Sequence, residues 1–326
     1  MQVGAIVTSS RRQADEIDGS VDLQRRDGLA DSFEAGLTIL GNNLLELTAA
    51  RLSSAGVRRT TVVHEGLALN KLAGERSSKV TNPSSVWEQA VAQSLQRGID
   101  LLLLIGTTAY IELDYAELVR FHLERHAAMT QVHTNSGSAD IALISAARLR
   151  ETGWNMGTVG ALRGECERFN FRGYANRLRN PNDFMQLVED ALYRRCQLRP
   201  AAREIANGLW IADSAEVDDS CVIGAPSFVG AHSRVAACCN ISGGSAVESA
   251  CHIDSGTIIE RSWVLSNTYI GIGLNVRRSI VSKRKMFHLD RKTEITITDR
   301  RLVGSTHSLP LLRTGGRERV VTSFSS

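Results

Sequence analysis

Aliphatic residues recur every six positions through the last third of the chain. The series is Ile211, Val217, Ile223, Val229, Val235, Ile241, Val247, Ile253, Ile259 and Leu265. About a quarter of all residues are Leu, Val or Ile, so ten consecutive matches would arise by chance roughly once in a million starting points. A six-residue period of this length is typical of hexapeptide repeats.

Small residues form a second stripe with the same period, two positions before the aliphatic one. Its members are Ala215, Cys221, Ser227, Ser233, Cys239, Ser245, Cys251 and Thr257. In a left-handed parallel β-helix, one aliphatic residue per face fills the narrow interior and small residues occupy the corners. We therefore predict a left-handed β-helix of hexapeptide repeats over residues 209–281, with about four coils. After Leu265 the register slips by one, to Val264, Ile270 and Val276, and the pattern fades by Val281.

The tail, residues 282–326, is polar and keeps no sustained period. It contains the basic triplet Lys283, Arg284 and Lys285. Such a segment offers little apolar surface to bury. We expect this C-terminal tail to pack loosely or to be disordered.

Apolar runs and helical patterns alternate along residues 1–200, which predicts an α/β domain with a doubly wound sheet. The predicted strands cover residues 4–8, 59–64, 99–105 and 141–144. Predicted helices follow Asn43, the capping pair Ser85 and Glu88, and Asp114, and a last one covers residues 182–196. Residues 9–36 read as a long polar loop, and a linker is expected around residues 199–208.

The charge balance and the apolar content argue against nucleic-acid-binding and membrane-spanning proteins. The chain has 38 basic and 35 acidic residues, for a net charge of +3. This charge is too small to predict nucleic acid or an anionic membrane as the main partner. The sequence also shows no secretory signal and no apolar run long enough to span a membrane, so we expect a cytoplasmic protein.

The six cysteines show no C-x-x-C pair and no spacing typical of a metal site. Three of them, Cys221, Cys239 and Cys251, lie on the stripe of small residues. We predict that they are core thiols rather than catalytic groups.

Three stretches of sequence resemble the sugar-phosphate nucleotidyltransferases, also called NDP-sugar pyrophosphorylases. Residues 40–45 with the turn at 55–57 are similar to the family's first helix and the turn that follows it. Residues 101–118 are similar to its metal-binding strand, turn and helix. Residues 171–176 and 180–184 are similar to its Gly-Tyr segment. The resemblance implies a nucleotidyltransferase-like, Rossmann-like domain at residues 1–200, followed by the β-helix. It also implies a reaction of NTP with sugar 1-phosphate, dependent on Mg²⁺, that gives NDP-sugar and pyrophosphate.

The chain departs from the family at each catalytic position. The glycine-rich phosphate loop is replaced by a segment with Ser9, Ser10 and Arg11. The phosphate-binding lysine is missing, because no lysine precedes Lys71. Thr107 stands where the family has its first metal-binding aspartate. The second such aspartate is replaced by Asn176. Without these carboxylates and the lysine, little stabilisation of the phosphoryl-transfer transition state is expected.

We therefore expect a pseudoenzyme of sugar-nucleotide or polysaccharide metabolism, with a ligand-binding, regulatory or scaffolding role. Its expected ligand is a sugar phosphate or nucleotide, and its β-helix is expected to make homo- or hetero-oligomer contacts. No cofactor is predicted with certainty, and Mg²⁺ is expected only if the protein is active. The candidate binding residues are Ser9, Ser10, Arg11, Gly106, Thr107, Trp154, Tyr174 and Asn176.

Two alternatives stay open. An active pyrophosphorylase would recruit other metal ligands, such as Glu112, Asp114 or Asp183. A hexapeptide-repeat acyltransferase would bind coenzyme A and use His232 or His252 as its base.

A further histidine pair, His122 and His126, is four positions apart on one predicted helix. Glu124 and Arg125 lie between them. We expect this pair to lie on a solvated face rather than to bind a metal.

Overall fold

Alternating strands and helices make up the described residues before position 193, called the α/β unit below. The structure is a computed structural model that describes residues 1–8, 38–64, 67–70, 83–106, 109–152 and 166–308. The elements of the α/β unit are β1 (Val3–Thr8), β2 (Thr38–Ile39), β3 (Asn42–Asn43), α1 (Leu44–Ser54), β4 (Arg59–His64), β5 (Leu67–Asn70), α2 (Pro83–Gln96), β6 (Leu101–Gly106), β7 (Tyr110–Ile111), α3 (Tyr115–Glu124), β8 (Met129–Thr134), β9 (Gly137–Ser145), α4 (Ala146–Thr152), β10 (Cys166–Asn170), β11 (Ala175–Asn176) and α5 (Pro181–Leu192).

Seven of these strands form one mixed sheet in the order β10-β8-β9-β6-β1-β4-β5. Strand β1 pairs in parallel with β4 and with the central strand β6, whereas β9 runs antiparallel to β6 and to β8. Helices α2 and α4 pack on one face of the sheet, and α1 and α3 pack on the other. All six residues of β6 are buried, as expected for a strand covered on both faces. The unit therefore belongs to the α/β class.

The predicted elements and the observed ones differ at some boundaries. Strand β4 has the predicted bounds, and Asn43 and Asp114 cap α1 and α3 as predicted. Helix α2 begins at Pro83, so Ser85 lies inside the helix and not at its N-cap. Strand β8 was not predicted, because its buried polar residues Thr130 and Gln131 interrupt the apolar run.

The longest helix in the described part of the chain, α2, has 14 residues. No helix in that part is long and apolar enough to cross a membrane.

Short strands with a regular spacing follow from residue 203. They are β12 (Arg203–Ala206), β13 (Leu209–Ile211), β14 (Glu216–Val217), β15 (Val222–Ile223), β16 (Ser227–Val229), β17 (Arg234–Val235), β18 (Asn240–Ser242), β19 (Ser245–Val247), β20 (His252–Ile253), β21 (Ile258–Glu260), β22 (Trp263–Val264), β23 (Thr268–Ile270), β24 (Asn275–Arg277), β25 (Ser279–Ser282), β26 (Lys285–His288), β27 (Thr293–Thr296) and β28 (Val303–Ser305), with a 3₁₀ turn at Thr306–Ser308. We call β13 to β25 the coil stack.

Each strand from β13 to β22 pairs in parallel with the strand three places later. This pairing produces three sheets: face 1 (β13-β16-β19-β22-β25), face 2 (β14-β17-β20-β23) and face 3 (β15-β18-β21-β24). Val229 lies opposite Val247, which is 18 residues later. Eighteen residues are three hexads, so the observed register agrees with the period in the sequence. The aliphatic residues from Val229 to Val281 that share this interior form one buried cluster.

The prediction that Leu265 belongs to the interior is wrong. Val264 lies opposite Val247 and fills the interior position, whereas Leu265 packs in a different cluster. Five residues instead of six separate Ile259 from Val264, so this coil is one residue shorter. A second five-residue step leads from Val276 to Val281, which lies opposite Val264 and is fully buried.

The prediction of a loosely packed tail is wrong as far as Ser308. Strand β26 pairs antiparallel with β25, and β27 pairs with β26. Strand β28 pairs antiparallel with β23, where Val303 lies opposite Ile270 and is buried. These strands cover the end of the coil stack and supply partners for its last backbone groups. Residues 309–326 lie outside the described residues.

The coil stack and the α/β unit share an apolar core, called the seam below. Along face 1, outward-pointing residues form a row that is at most 4% exposed: Trp210, Phe228, Ala246, Trp263 and Ile280. This row packs with α5, whose side chains in the same cluster include Phe184, Leu187 and Val188. Phe184 stacks on Trp263 with their ring centroids 6.4 Å apart. The seam therefore holds one face of the stack against the unit.

Three cysteines at the corners of the coil stack donate their thiols to backbone carbonyls. Cys221 Sγ lies 3.0 Å from the Ala236 oxygen, and Cys239 Sγ lies 3.1 Å from that of Asp254. Cys251 is buried and burial raises its pKa to about 12. These contacts agree with core thiols at corner positions, although Cys221 is only half-buried.

Candidate functional site

The carboxyl ends of the parallel strands β1 and β6 lie side by side, with Thr8 opposite Gly106. Ligands of α/β proteins bind at this edge of the sheet, where strand order changes direction. A narrow cleft opens at Gly106, between helix α1 and strand β7. Helix α1 lines it with Leu44, Thr48 and Arg51.

Arg51 gives this cleft its positive charge. Its Nη1 donates to the Ile111 carbonyl at 3.1 Å, and its Nη2 donates to the Tyr110 hydroxyl at 2.6 Å. The guanidinium also lies 4.9 Å from the centroid of the Tyr110 ring. No carboxylate of the described residues pairs with it. Because arginine has five N–H donors, three remain for a ligand, and an uncompensated guanidinium favours an anion.

Two buried tyrosines, Tyr110 and Tyr115, line the cleft beside Arg51 and form the wall referred to below. Burial raises the pKa of Tyr115 to about 12, although the charge of Arg51 opposes the shift. Burial also raises the pKa of Tyr110 far above its usual range. Both phenols are therefore neutral at physiological pH and do not form an ion pair with Arg51. The Tyr110 hydroxyl donates to Glu112 at 3.1 Å, and Glu112 also accepts from the Gln197 amide.

Two residues predicted to bind the ligand use their polar groups elsewhere. Tyr174 meets Tyr110 edge to face at 6.0 Å, but its hydroxyl donates to Asp190 Oδ2 at 2.7 Å. Asn176 lies opposite Tyr110 in the β7–β11 pair. Its amide donates to the Asp183 carbonyl at 2.8 Å and its Oδ1 accepts from the Leu178 amide at 3.1 Å. Both side chains therefore support the wall that carries Tyr110.

The predicted residues are only partly brought together by the fold. Gly106 lines the cleft, and Tyr174 and Asn176 lie behind Tyr110. Five others, Ser9, Ser10, Arg11, Thr107 and Trp154, lie outside the described residues.

The carboxylates named as alternative metal ligands serve the backbone. Asp114 accepts from the Ala116 amide at 2.8 Å as the N-cap of α3. Asp183 completes the capping box of α5 with Asn180. The described part of the chain contains no group of three or more His, Cys, Asp or Glu residues that could hold a metal ion.

The two histidines of the coil stack differ in exposure. His232 is exposed, and its backbone amide donates to Ser214 Oγ at 3.1 Å. His252 is half-buried between Arg234 and Tyr269 on face 2, and burial lowers its pKa. The two lie in separate coils.

The prediction of a solvated face for His122 is wrong. Its side chain is 1% exposed, and its Nδ1 lies 2.8 Å from Thr130 Oγ1. Its Nε2 has no partner among the described residues. Burial lowers its pKa to about 4, so the ring is neutral. His126, by contrast, is exposed just beyond the end of α3.

Three residues of this site, Arg51, Tyr110 and Tyr115, were not singled out from the sequence, nor was Glu248 in the seam. Arg51 gave no signal, because arginine is common in this chain and on exposed helix faces. Glu248 did give one. It stands one coil after Gly230, and unlike Asp218, Asp254 and Glu260 at the same hexad position it lies on face 1.

No model of a known protein family matches the chain, and no curated protein matches it significantly.

Proposed function

We propose that this protein is a nucleotidyltransferase-like ligand-binding subunit of sugar-nucleotide or polysaccharide metabolism. It binds a sugar phosphate or nucleotide in the cleft at Gly106 and acts as a regulatory or scaffolding protein with little or no catalysis. The observation that carries this proposal is Arg51, a guanidinium with no carboxylate partner among the described residues, in a cleft at the carboxyl edge of the sheet. Phosphate oxygens match the fork of N–H donors that arginine presents.

The two-part architecture supports the family resemblance. An α/β unit with a mixed sheet precedes three parallel sheets whose residues pair 18 apart. We interpret the coil stack as a left-handed β-helix of hexapeptide repeats, with oligomer contacts on the faces that the α/β unit leaves open. The resemblance implies that Gly106 lies at the family's nucleotide-binding edge of the sheet.

The chemistry at the family's metal positions supports impaired catalysis. Magnesium prefers anionic oxygen ligands. Asn176 is neutral, and both ends of its amide are engaged with Asp183 and Leu178. This position does not fit a divalent cation, so we derive no catalytic step through one.

Binding of phosphate ligands to purified full-length protein tests the proposal. Calorimetric titrations would use the four ribonucleoside triphosphates and glucose 1-phosphate, each with and without Mg²⁺. We expect at least one ligand to bind, and Arg51→Met to weaken its binding by about 10- to 100-fold, because hydrogen bonds to a charged group are lost. Arg51→Lys keeps the charge and should lose less.

The matched control is Arg120→Met, on the exposed side of α3. It should leave affinity unchanged. Affinity that is equal in wild type and Arg51→Met, or no binding of any ligand, would overturn the proposed site. Pyrophosphate release from any NTP and sugar 1-phosphate pair, lost in Asn176→Ala, would show instead that the enzyme is active.

A further inference from the structure

A fully buried carboxylate lies in the seam. Glu248 directly follows β19, and its side chain is 0% exposed. It accepts from the Leu40 amide at 2.6 Å, from the Gly41 amide at 3.0 Å and from Trp263 Nε1 at 2.9 Å. No basic side chain of the described residues pairs with it. A carboxylate without a cationic partner is costly to bury, so its donors must satisfy it.

Two of those donors belong to a strained turn of the α/β unit. Leu40 and Gly41 join β2 to β3 with φ of +51° and +76°. The left-handed region is unfavourable for leucine, which has a Cβ. Two successive amides in such a turn form a concave site that attracts an anion, and here Glu248 supplies that anion. The carboxylate therefore stabilises the positive φ of Leu40, which is unfavourable for a leucine.

The turn fixes where helix α1 begins. Asn43, two residues after Gly41, caps α1 by accepting from the amides of Leu45 at 3.0 Å and Glu46 at 3.2 Å. Asn42 anchors the same segment by donating to the Arg199 carbonyl at 2.8 Å. Helix α1 then carries Arg51 into the cleft, about 12 Å farther along its axis at 1.5 Å per residue. A shift of the turn is transmitted to that wall, because a helix moves as a rigid element.

We propose that Glu248 is a positioning residue, through which the coil stack sets the place of helix α1 and thereby of Arg51 in the cleft. The expected change in ligand affinity rests on the proposed function. The position of α1 does not, since it can be measured without a ligand.

The test substitution is Glu248→Gln. Glutamine keeps the shape of the side chain but replaces one acceptor oxygen by an N–H₂ donor, which opposes either the Leu40 or the Gly41 amide. Amide hydrogen exchange of the full-length protein at pH 8 would follow Leu40, Gly41 and Leu45. We expect exchange at these three amides to accelerate about tenfold or more, with the interior of the coil stack unchanged.

Two controls separate positioning from general stability. Glu260→Gln makes the same change at a glutamate that is 42% exposed on face 3 and should leave all exchange rates unchanged. Ile280→Ala weakens the seam at the last coil and removes no group that hydrogen-bonds Glu248 or the turn. Affinity for the nucleotide found to bind wild type should fall about tenfold in Glu248→Gln and stay unchanged in Ile280→Ala.

Each outcome decides the proposal. Unchanged exchange at Leu45 in Glu248→Gln overturns it, as does an equal loss of affinity in Ile280→Ala. If wild type binds no phosphate ligand, the proposed function fails. In that case the exchange rates alone decide the positioning role.

Discussion

Face 1 of the coil stack and the two other faces have the same interior but different exteriors. Inward-pointing residues are aliphatic on all three, since each face contributes to one narrow core. Outward, face 1 carries the apolar row of the seam, whereas face 2 carries Glu216, Arg234 and His252. Inward and outward positions of one repeat therefore have different roles. The inward positions determine the coil, and the outward positions determine which face docks.

The same substitution on two faces tests this difference between them most strongly. Ile280 points outward on face 1 and is 0% exposed, whereas Ile258 points outward on face 3 and is half-buried. We expect Ile280→Ala to lower the free energy of unfolding by about 3–4 kcal/mol, because it leaves a cavity in the seam. Ile258→Ala should cost less than about 1 kcal/mol. Denaturant unfolding of both variants measures the difference.

Equal losses in the two variants would contradict the assignment of face 1 as the docking face. A change in the slope of the denaturant transition for Ile280→Ala would add that the two units then unfold separately.

The next effect comes from the buried carboxylate in the seam. Burial raises the pKa of Glu248 from 4.5 to about 7 in the folded protein. A raised pKa means that the folded state binds the proton more tightly than the unfolded state. The contribution to stability is therefore fully present below pH 4.5 and is lost as the pH rises to about 7. The loss is about 3 kcal/mol when it is complete.

Glu248→Gln isolates this contribution, since glutamine does not titrate. The difference in unfolding free energy between wild type and Glu248→Gln should decline from pH 4.5 to pH 7.5. His122 titrates with the opposite sign, because its lowered pKa makes stability fall as the pH drops from 6.5 to about 4. It is present in both proteins and cancels in the difference. A difference that stays flat with pH would show that the Glu248 carboxyl is not desolvated in solution.

Much of the fold could be predicted from the sequence because it depends on local periods. The hexad series located the interior of the coil stack, since each coil repeats the same geometry. It failed where one residue is missing, between Ile259 and Val264, because a period cannot show a deletion before the next coil is counted. The tail strands were missed because β26 and β28 pair with strands β25 and β23 of the last coil, so the tail's sequence shows no period of its own.

The candidate site was less predictable, because contacts far apart in the chain build it. Gly106 could be placed from its strand. Arg51 and Tyr110 meet only through the packing of α1 on β7, and Glu248 meets Leu40 across 208 residues. The helical pattern around His122 did not show which side of α3 its side chain occupies, and in the structure it is buried. The contacts of such side chains cannot be predicted from the sequence around them, because their partners are far away in the chain.

The smallest effect is expected on face 3, at the pair formed by Glu260 and Arg277. Their side chains are 42% and 59% exposed, with Glu260 Oε2 3.2 Å from Arg277 Nε. Water and salt screen an exposed pair of this kind, so Glu260→Gln should change the unfolding free energy by less than about 0.5 kcal/mol. Denaturant unfolding at low and high salt would measure it beside Glu248→Gln, the same substitution twelve residues earlier. A loss of about 2 kcal/mol or more would require that face 3 is desolvated in solution. Another subunit would then cover it, and docking would no longer distinguish face 1.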